Sequence, residues 1–180
     1  MLRILFYLFL WKLFLSKTIK YHFLLFIFML IRTHLAISFL AVVFLIDFIQ
    51  GNFEKFIFAL FVFVATFIPD IDSRNSKLGS FFIFRPFQFF VKHRDFVHSF
   101  LFMFLISGFI FLVSSSAFYG FLVGFGLHLI ADCFNVSGVR IFYPLKIKFR
   151  GFVKTNGIFE WLIFSLAIIF GFWILWKKVI

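Results

Sequence analysis

The sequence predicts an all-α, polytopic transmembrane bundle of about five spanning helices, with an N-terminal interfacial or additional helix ahead of them. Three observations carry that prediction. The chain of 180 residues is 64% hydrophobic and holds 38 Phe, more apolar surface than one soluble domain of this length can bury. The apolar residues run in stretches close to the roughly 20 residues that a helix needs to cross the hydrocarbon core. The 18 Lys and Arg, against 7 Asp and Glu, fall between and beside those stretches, as in loops facing anionic headgroups. The partner that this charge implies is a membrane and not nucleic acid.

Taken in order, residues 1–31 form a hydrophobic and basic extension, and residues 32–180 a membrane-embedded domain. The start, MLRILFYLFLWKLFL, has a basic residue and an apolar stretch, but Ser16, Lys17, Thr18 and Lys20 follow it in place of a small-x-small cleavage site. The segment is expected to be retained. Lys12, Lys17, Lys20 and His22 interrupt it, which favours an interfacial helix over a sixth span. Spanning helices are expected from about His34 to Gln50, Phe53 to Pro69, Ser99 to Val113, Phe118 to Asp132 and Ile158 to Trp176. A long loop, IDSRNSKLGSFFIFRPFQFFVKHRDF, separates the second and third, and its Phe pairs read as an amphipathic stretch lying in the interface. A second basic loop, NVSGVRIFYPLKIKFRGFVKTNG, separates the fourth and fifth. The single Cys133 excludes an intrachain disulfide and a cysteine-built zinc site.

The order of the helices then sorts the polar residues. If the first helix starts on one face of the membrane at His34, the second returns to that face at Asp70 and Asp72. The third starts there, beside His98, and the fourth ends there with His128 and Asp132. Candidate ligands spread over the chain therefore converge on one face. Arg74, Lys77, Arg85, Lys92, Arg94, Arg140, Lys146, Lys148, Arg150 and Lys154 belong to that side, against Lys55, Lys177 and Lys178 on the other. The positive-inside rule makes the shared face cytoplasmic.

Histidine and carboxylate in this mixture hold hydrolytic divalent ions, zinc first, with manganese and magnesium as alternatives. HLIAD puts His128 and Asp132 at i and i+4, on one helical face. PDID puts Asp70 and Asp72 where Pro69 ends a helix. HRDFVHS adds His93, Arg94 and His98 just before the third helix. Metal ligands are thus His34, Asp70, Asp72, His98, His128 and Asp132. His93 is a further ligand or an acid/base, and Arg94 a partner for phosphate or an oxyanion. The plainer readings are a helix-ending turn at Asp70 and Asp72, an interfacial His34, a structural His128–Asp132 hydrogen bond and cations that only meet headgroups. Convergence weighs against them together, because ionisable groups near a membrane core are costly without partners. Asp47 and Glu160, toward other helix ends, read as interfacial.

Four blocks, THLA at Thr33–Ala36, PDIDS at Pro69–Ser73, HRDFVHS at His93–Ser99 and GLHLIADCFNVSGVRIFYP at Gly126–Pro144, resemble in order those of the inner-membrane metal-dependent hydrolases of the domain-of-unknown-function 457 family. The resemblance covers roughly residues 33 to 175. Where the family has Gly and Thr in the third block, this chain has Asp95 and Val97. What the resemblance implies is a membrane-embedded hydrolase with a divalent metal, similar in His/Asp layout to zinc-dependent phospholipases C. A fainter one, carried by Lys77, Arg85-Pro86 and HLIAD, is to metal-free lipid phosphatases, whose Pro-Ser-Gly-His block is missing here.

The function expected is a multi-pass, inner-membrane, metal-dependent hydrolase of a phosphoester or lipid-derived ester, acting at the cytoplasmic face. The rivals are an ion carrier using the same cluster, the metal-free lipid phosphatase, and a protein in which the cluster is structural. Protein partners leave no trace in the sequence.

Overall fold

A computed structural model describes residues 31–73, 76, 79–90 and 94–180; the N-terminal extension and His93 lie outside the described residues. Among the described residues helix α1 covers 31–45 and tightens into a 3-10 turn, Ile46–Phe48. Helix α2, Asn52–Phe67, runs into a second 3-10 turn, Pro69–Asp72, with the proline at its first position. The following segment holds a third 3-10 turn, Phe82–Phe84, and the short helix α3, Arg85–Phe90. Helix α4, Phe100–Phe111, is capped by Ser99, whose Oγ accepts from the Phe102 N–H; α5, Ser115–Phe134, is capped in the same way by Ser114. Helix α6, Ile158–Val179, completes the chain.

The five apolar helices stand where the sequence places them, but their lengths differ. Those long and apolar enough to cross a bilayer are Ile31–Phe48, Ser115–Phe134 and Ile158–Val179. Helix α2 has 16 residues, and α4 has 12, so α4 covers only about 18 Å of the roughly 30 Å hydrocarbon core. Among the described residues extended pairing is confined to two isolated bridges, Asn135–Val153 and Val139–Phe149, in the loop before α6.

Among α2 to α6, helices α2 and α5 form the most extensive pair. Gly120 and Gly124, one turn apart on α5, make this possible: a Cβ on Gly124 would stand 2.0 Å from the Val62 carbonyl oxygen, and one on Gly120 2.5 Å from that of Phe58. Small residues at i and i+4 are the usual device for bringing two membrane helices into backbone contact. Phe58, Val62, Phe121, Phe125 and Leu129 close the core around this seam, and α4 packs on α5 through Met103 and Phe102, in a cluster that α2 joins through Ala65.

Helix α6 is the peripheral one, with Phe170, Phe172 and Trp173 exposed toward the bilayer. It runs parallel to α1 and is tied to it at both ends. Thr33 donates to Glu160 at 3.1 Å, and Lys178 meets Asp47 at 2.6 Å at the other end. Glu160, in the first turn of α6, is buried and also accepts from the Asn156 backbone N–H. In the segment between α2 and α4, Gln88 is buried and donates to the carbonyls of Ile71 and Gly79, each at 2.7 Å. Its neighbours Phe81, Phe82, Ile83 and Phe89 stay exposed. That pattern suits a loop whose apolar side rests in the interface.

Candidate metal centre

Pro69 accounts for much of the site. A helix leaves its last four carbonyls without intrahelical partners, and the residue three beyond Thr66 is Pro69, which has no N–H to offer. The Thr66 carbonyl is taken instead by His128 Nδ1, at 2.8 Å. The Thr66 hydroxyl donates to Val62 O at 2.8 Å and lies 2.7 Å from Ser38 Oγ. Thr66 thereby joins α1, α2 and α5 beside the cluster.

Around that junction the structure brings together every described residue that the sequence nominates: His34 from α1, Asp70 and Asp72 from the 3-10 turn, Arg94 and His98 from the approach to α4, and His128 and Asp132 from the end of α5. His34 Nε2 stands 3.8 Å from Asp132 Oδ1. His128 Nε2 stands 3.9 Å from both Asp132 Oδ2 and Asp70 Oδ1. His98 Nε2 is 3.5 Å from Asp132 Oδ2. The His34 and His128 rings stack at 4.1 Å, inclined by 10°.

These contacts test whether the residues suit a divalent ion. Most are too long for hydrogen bonds, yet short enough for two atoms that each lie about 2.0–2.2 Å from one ion. Among the described residues His128 Nε2 and Asp132 Oδ2 are buried without a hydrogen-bond partner, although such groups normally find one. Two sets of three have ligand atoms all within 4.8 Å of one another, His34–His128–Asp132 and Asp70–His98–His128. The residues fit a metal ion.

Asp72 sits differently. Its Oδ2 accepts from His98 Nδ1 at 3.1 Å and from the Arg94 backbone N–H at 3.0 Å, and it belongs to neither set of three. This is the placement of a carboxylate that orients a ligating histidine. Arg94 adopts a left-handed backbone, φ 63°, and its guanidinium lies 3.5 Å from Asp132 Oδ1.

The electrostatics follow from crowding in a dry site. Asp70 is the most open carboxylate of the cluster, with 28% side-chain exposure, and loss of hydration still raises its pKa above the usual carboxylate range, with His98 and His34 opposing. Burial would lower the His98 pKa, but the Asp72 hydrogen bond and charge, with Asp132 and Asp70 behind, raise it. On the loop before α6, burial and then Arg150, Arg94 and Arg140 hold the Lys148 ammonium below its ordinary range, with Asp95 pulling the other way. Arg140 pairs with Asp95 at 3.1 Å. Cations thus gather beside the carboxylate cluster.

Sequence reasoning missed Thr66, Glu160 and the Gly120/Gly124 seam. The glycine spacing was readable; the Thr66 carbonyl, a backbone atom, carries no residue-type signal.

The sequence profile of the YdjM inner membrane protein family matches residues 29–179. The chain is 31% identical over 121 residues to YvsG of Bacillus subtilis (strain 168), covering 63% of this chain and 75% of that one. It is 30% identical over 92 residues to the inner membrane protein YdjM of Escherichia coli (strain K12), covering 46% of this chain and 47% of that protein. The same figures hold for YdjM of Shigella flexneri. No solved structure matches the chain.

Proposed function

Because the chain belongs to the YdjM inner membrane protein family and gathers His34, His98, His128, Asp70, Asp72 and Asp132 in one cluster, we propose that it is a membrane-embedded, metal-dependent hydrolase of a phosphoester or lipid-derived ester. The observation that carries this reading is His128. Its Nδ1 is committed to the Thr66 carbonyl, and its Nε2 stands common to two groups of candidate ligands.

His34, Asp70, His98, His128 and Asp132 would hold the ion, zinc first. When bound, such an ion polarises an ester and lowers the pKa of water. Asp72 keeps His98 turned so that Nε2 faces Asp132. Arg94, pinned through its backbone N–H to Asp72, presents a guanidinium to the anionic part of a substrate. Arg140, Lys148 and Arg150 supply a field that favours an anionic ester. His93 is kept as the acid/base or a further ligand. The cationic loops argue for a cytoplasmic site.

Against an ion carrier stands the placement of the cluster. Its members come from the turn after α2, the end of α5 and the approach to α4, with His34 of α1 beside them. Metal analysis of the full-length, detergent-purified protein tests the reading, with hydrolysis of a phospholipid and phosphoester panel measured with and without chelator. Stoichiometric metal with chelator-sensitive hydrolysis is expected. A folded protein that holds no divalent ion under any loading condition ends the proposal.

A further inference from the structure

A cavity of about 500 Å³ adjoins the cluster between α1, α5 and α6. That volume is in the range of small-molecule sites, roughly 300–1,000 Å³. Its polar end holds Thr33, His34 and Asp132. Its body is formed by Ile37 on α1, Ile130 and Phe134 on α5, and Phe159 and Ile163 on α6. Ile130 and Phe134, like Phe159 and Ile163, are four apart, so each pair makes one ridge along its helix. Ile130, Phe134 and Phe159 are also half exposed, on helices long and apolar enough to span a bilayer. The cavity thus lies between α5 and α6, with Asn135, Phe152 and Val153 of the intervening loop also lining it, beside the apolar flanks of two helices long enough to meet lipid.

Resting on the hydrolase reading, we propose that this cavity binds one esterified acyl chain of a bilayer phospholipid, which enters sideways and brings its ester to His34 and Asp132. The shape argues for an amphiphile: one polar end, an apolar body and apolar helix flanks beside it. Charge selects the ester over a free fatty acid. The buried Glu160, which lines the cavity outside both candidate ligand sets, would meet a free carboxylate as a like charge, whereas an ester carries none. The cations Arg94, Arg140 and Lys148 gather beside the cluster, where they suit the phosphate of the same lipid.

The test uses the full-length protein in vesicles of phosphatidylethanolamine and phosphatidylglycerol, doped with a phosphatidylglycerol bearing a diazirine on one acyl chain. After irradiation the adducts are mapped by mass spectrometry. Adducts on Ile130, Phe134, Phe159 and Ile163 should exceed by several-fold those on Phe172 and Trp173, which are exposed on α6 outside the cavity. Ala131 also lines the cavity, and Ala131→Trp and, separately, Ile163→Trp should each remove that excess. Even labelling along α6 that neither variant alters overturns the acyl site, and equal labelling of the cavity by a diazirine fatty acid overturns the preference for an ester. Metal content is read on the same preparation. Cavity labelling without a bound ion upholds the acyl site and removes the hydrolase reading, while a bound ion with even labelling does the reverse.

Discussion

His128 Nδ1 lies 2.8 Å from the carbonyl oxygen of Thr66. A carbonyl can only accept, so Nδ1 carries the proton and the Nε2 lone pair points at Asp70 and Asp132. A turn that ends α2 thereby sets the tautomer of a histidine on α5.

The carboxylates should separate by role. Asp132→Asn and His128→Ala are expected to strip a divalent ion, whereas Asp72→Asn should weaken it by about 10 to 100-fold, the usual cost of losing an orienting partner. Zinc titration of the three purified variants checks this. An Asp72→Asn protein as devoid of metal as Asp132→Asn would put Asp72 among the ligands.

Arg94 should show two distinct sensitivities. Arg94→Ala is expected to keep the ion while lowering turnover of an anionic ester. The left-handed φ of 63° should make Arg94→Val less stable than Arg94→Asn by about 1–3 kcal/mol, since Asn tolerates that region and a β-branched residue does not. Thermal unfolding in detergent compares the two, and equal stability would mean that the backbone is not held there.

The α2–α5 seam should reject a methyl group. Gly124→Ala puts a Cβ 2.0 Å from Val62 O and is expected to cost about 1–3 kcal/mol through overpacking. Gly126→Ala, whose Cβ would stand 3.8 Å from Met103 Sδ, should leave the midpoint unchanged. Because His128 follows Gly124 by one turn, the first variant should also weaken metal binding. A Gly124→Ala protein of wild-type midpoint and affinity would show that the close approach is dispensable.

The bundle and the residues of its polar end were legible in the sequence for one reason. Apolar runs ended by Pro69, Ser99 and Gly157 fix where the chain turns, and alternating direction then carries His34, Asp70, His98 and Asp132 to one face. Helix lengths were less legible: α5 begins at Ser115, ahead of the expected Phe118, because the Ser114 hydroxyl caps it. The division of labour between Asp70 and Asp72 was hidden too, since it depends on which way two neighbouring side chains turn. The partner of Glu160 was hidden as well, since Thr33 is 127 positions away.

The two polar loops should lie on the same side of the membrane. The Arg140–Asp95 pair and the Arg140 N–H to Arg94 O hydrogen bond join them directly. With Cys133 replaced by Ser, single cysteines at Ser80 and Lys146 should both react with an impermeant thiol reagent from the cytoplasmic side only. Reaction from opposite sides would break the convergence of the cluster, and reaction of both from outside would only invert the protein.

The cavity that opens between α5 and α6 changes the variable in which this protein's encounters are counted. A site entered from the bilayer draws on a two-dimensional reservoir, so its occupancy follows the lipid's mole fraction among its neighbours and not its molarity in the suspension. In mixed micelles, diluting the lipid with inert detergent at constant total lipid would empty the cavity, while adding more micelles of fixed composition would not fill it.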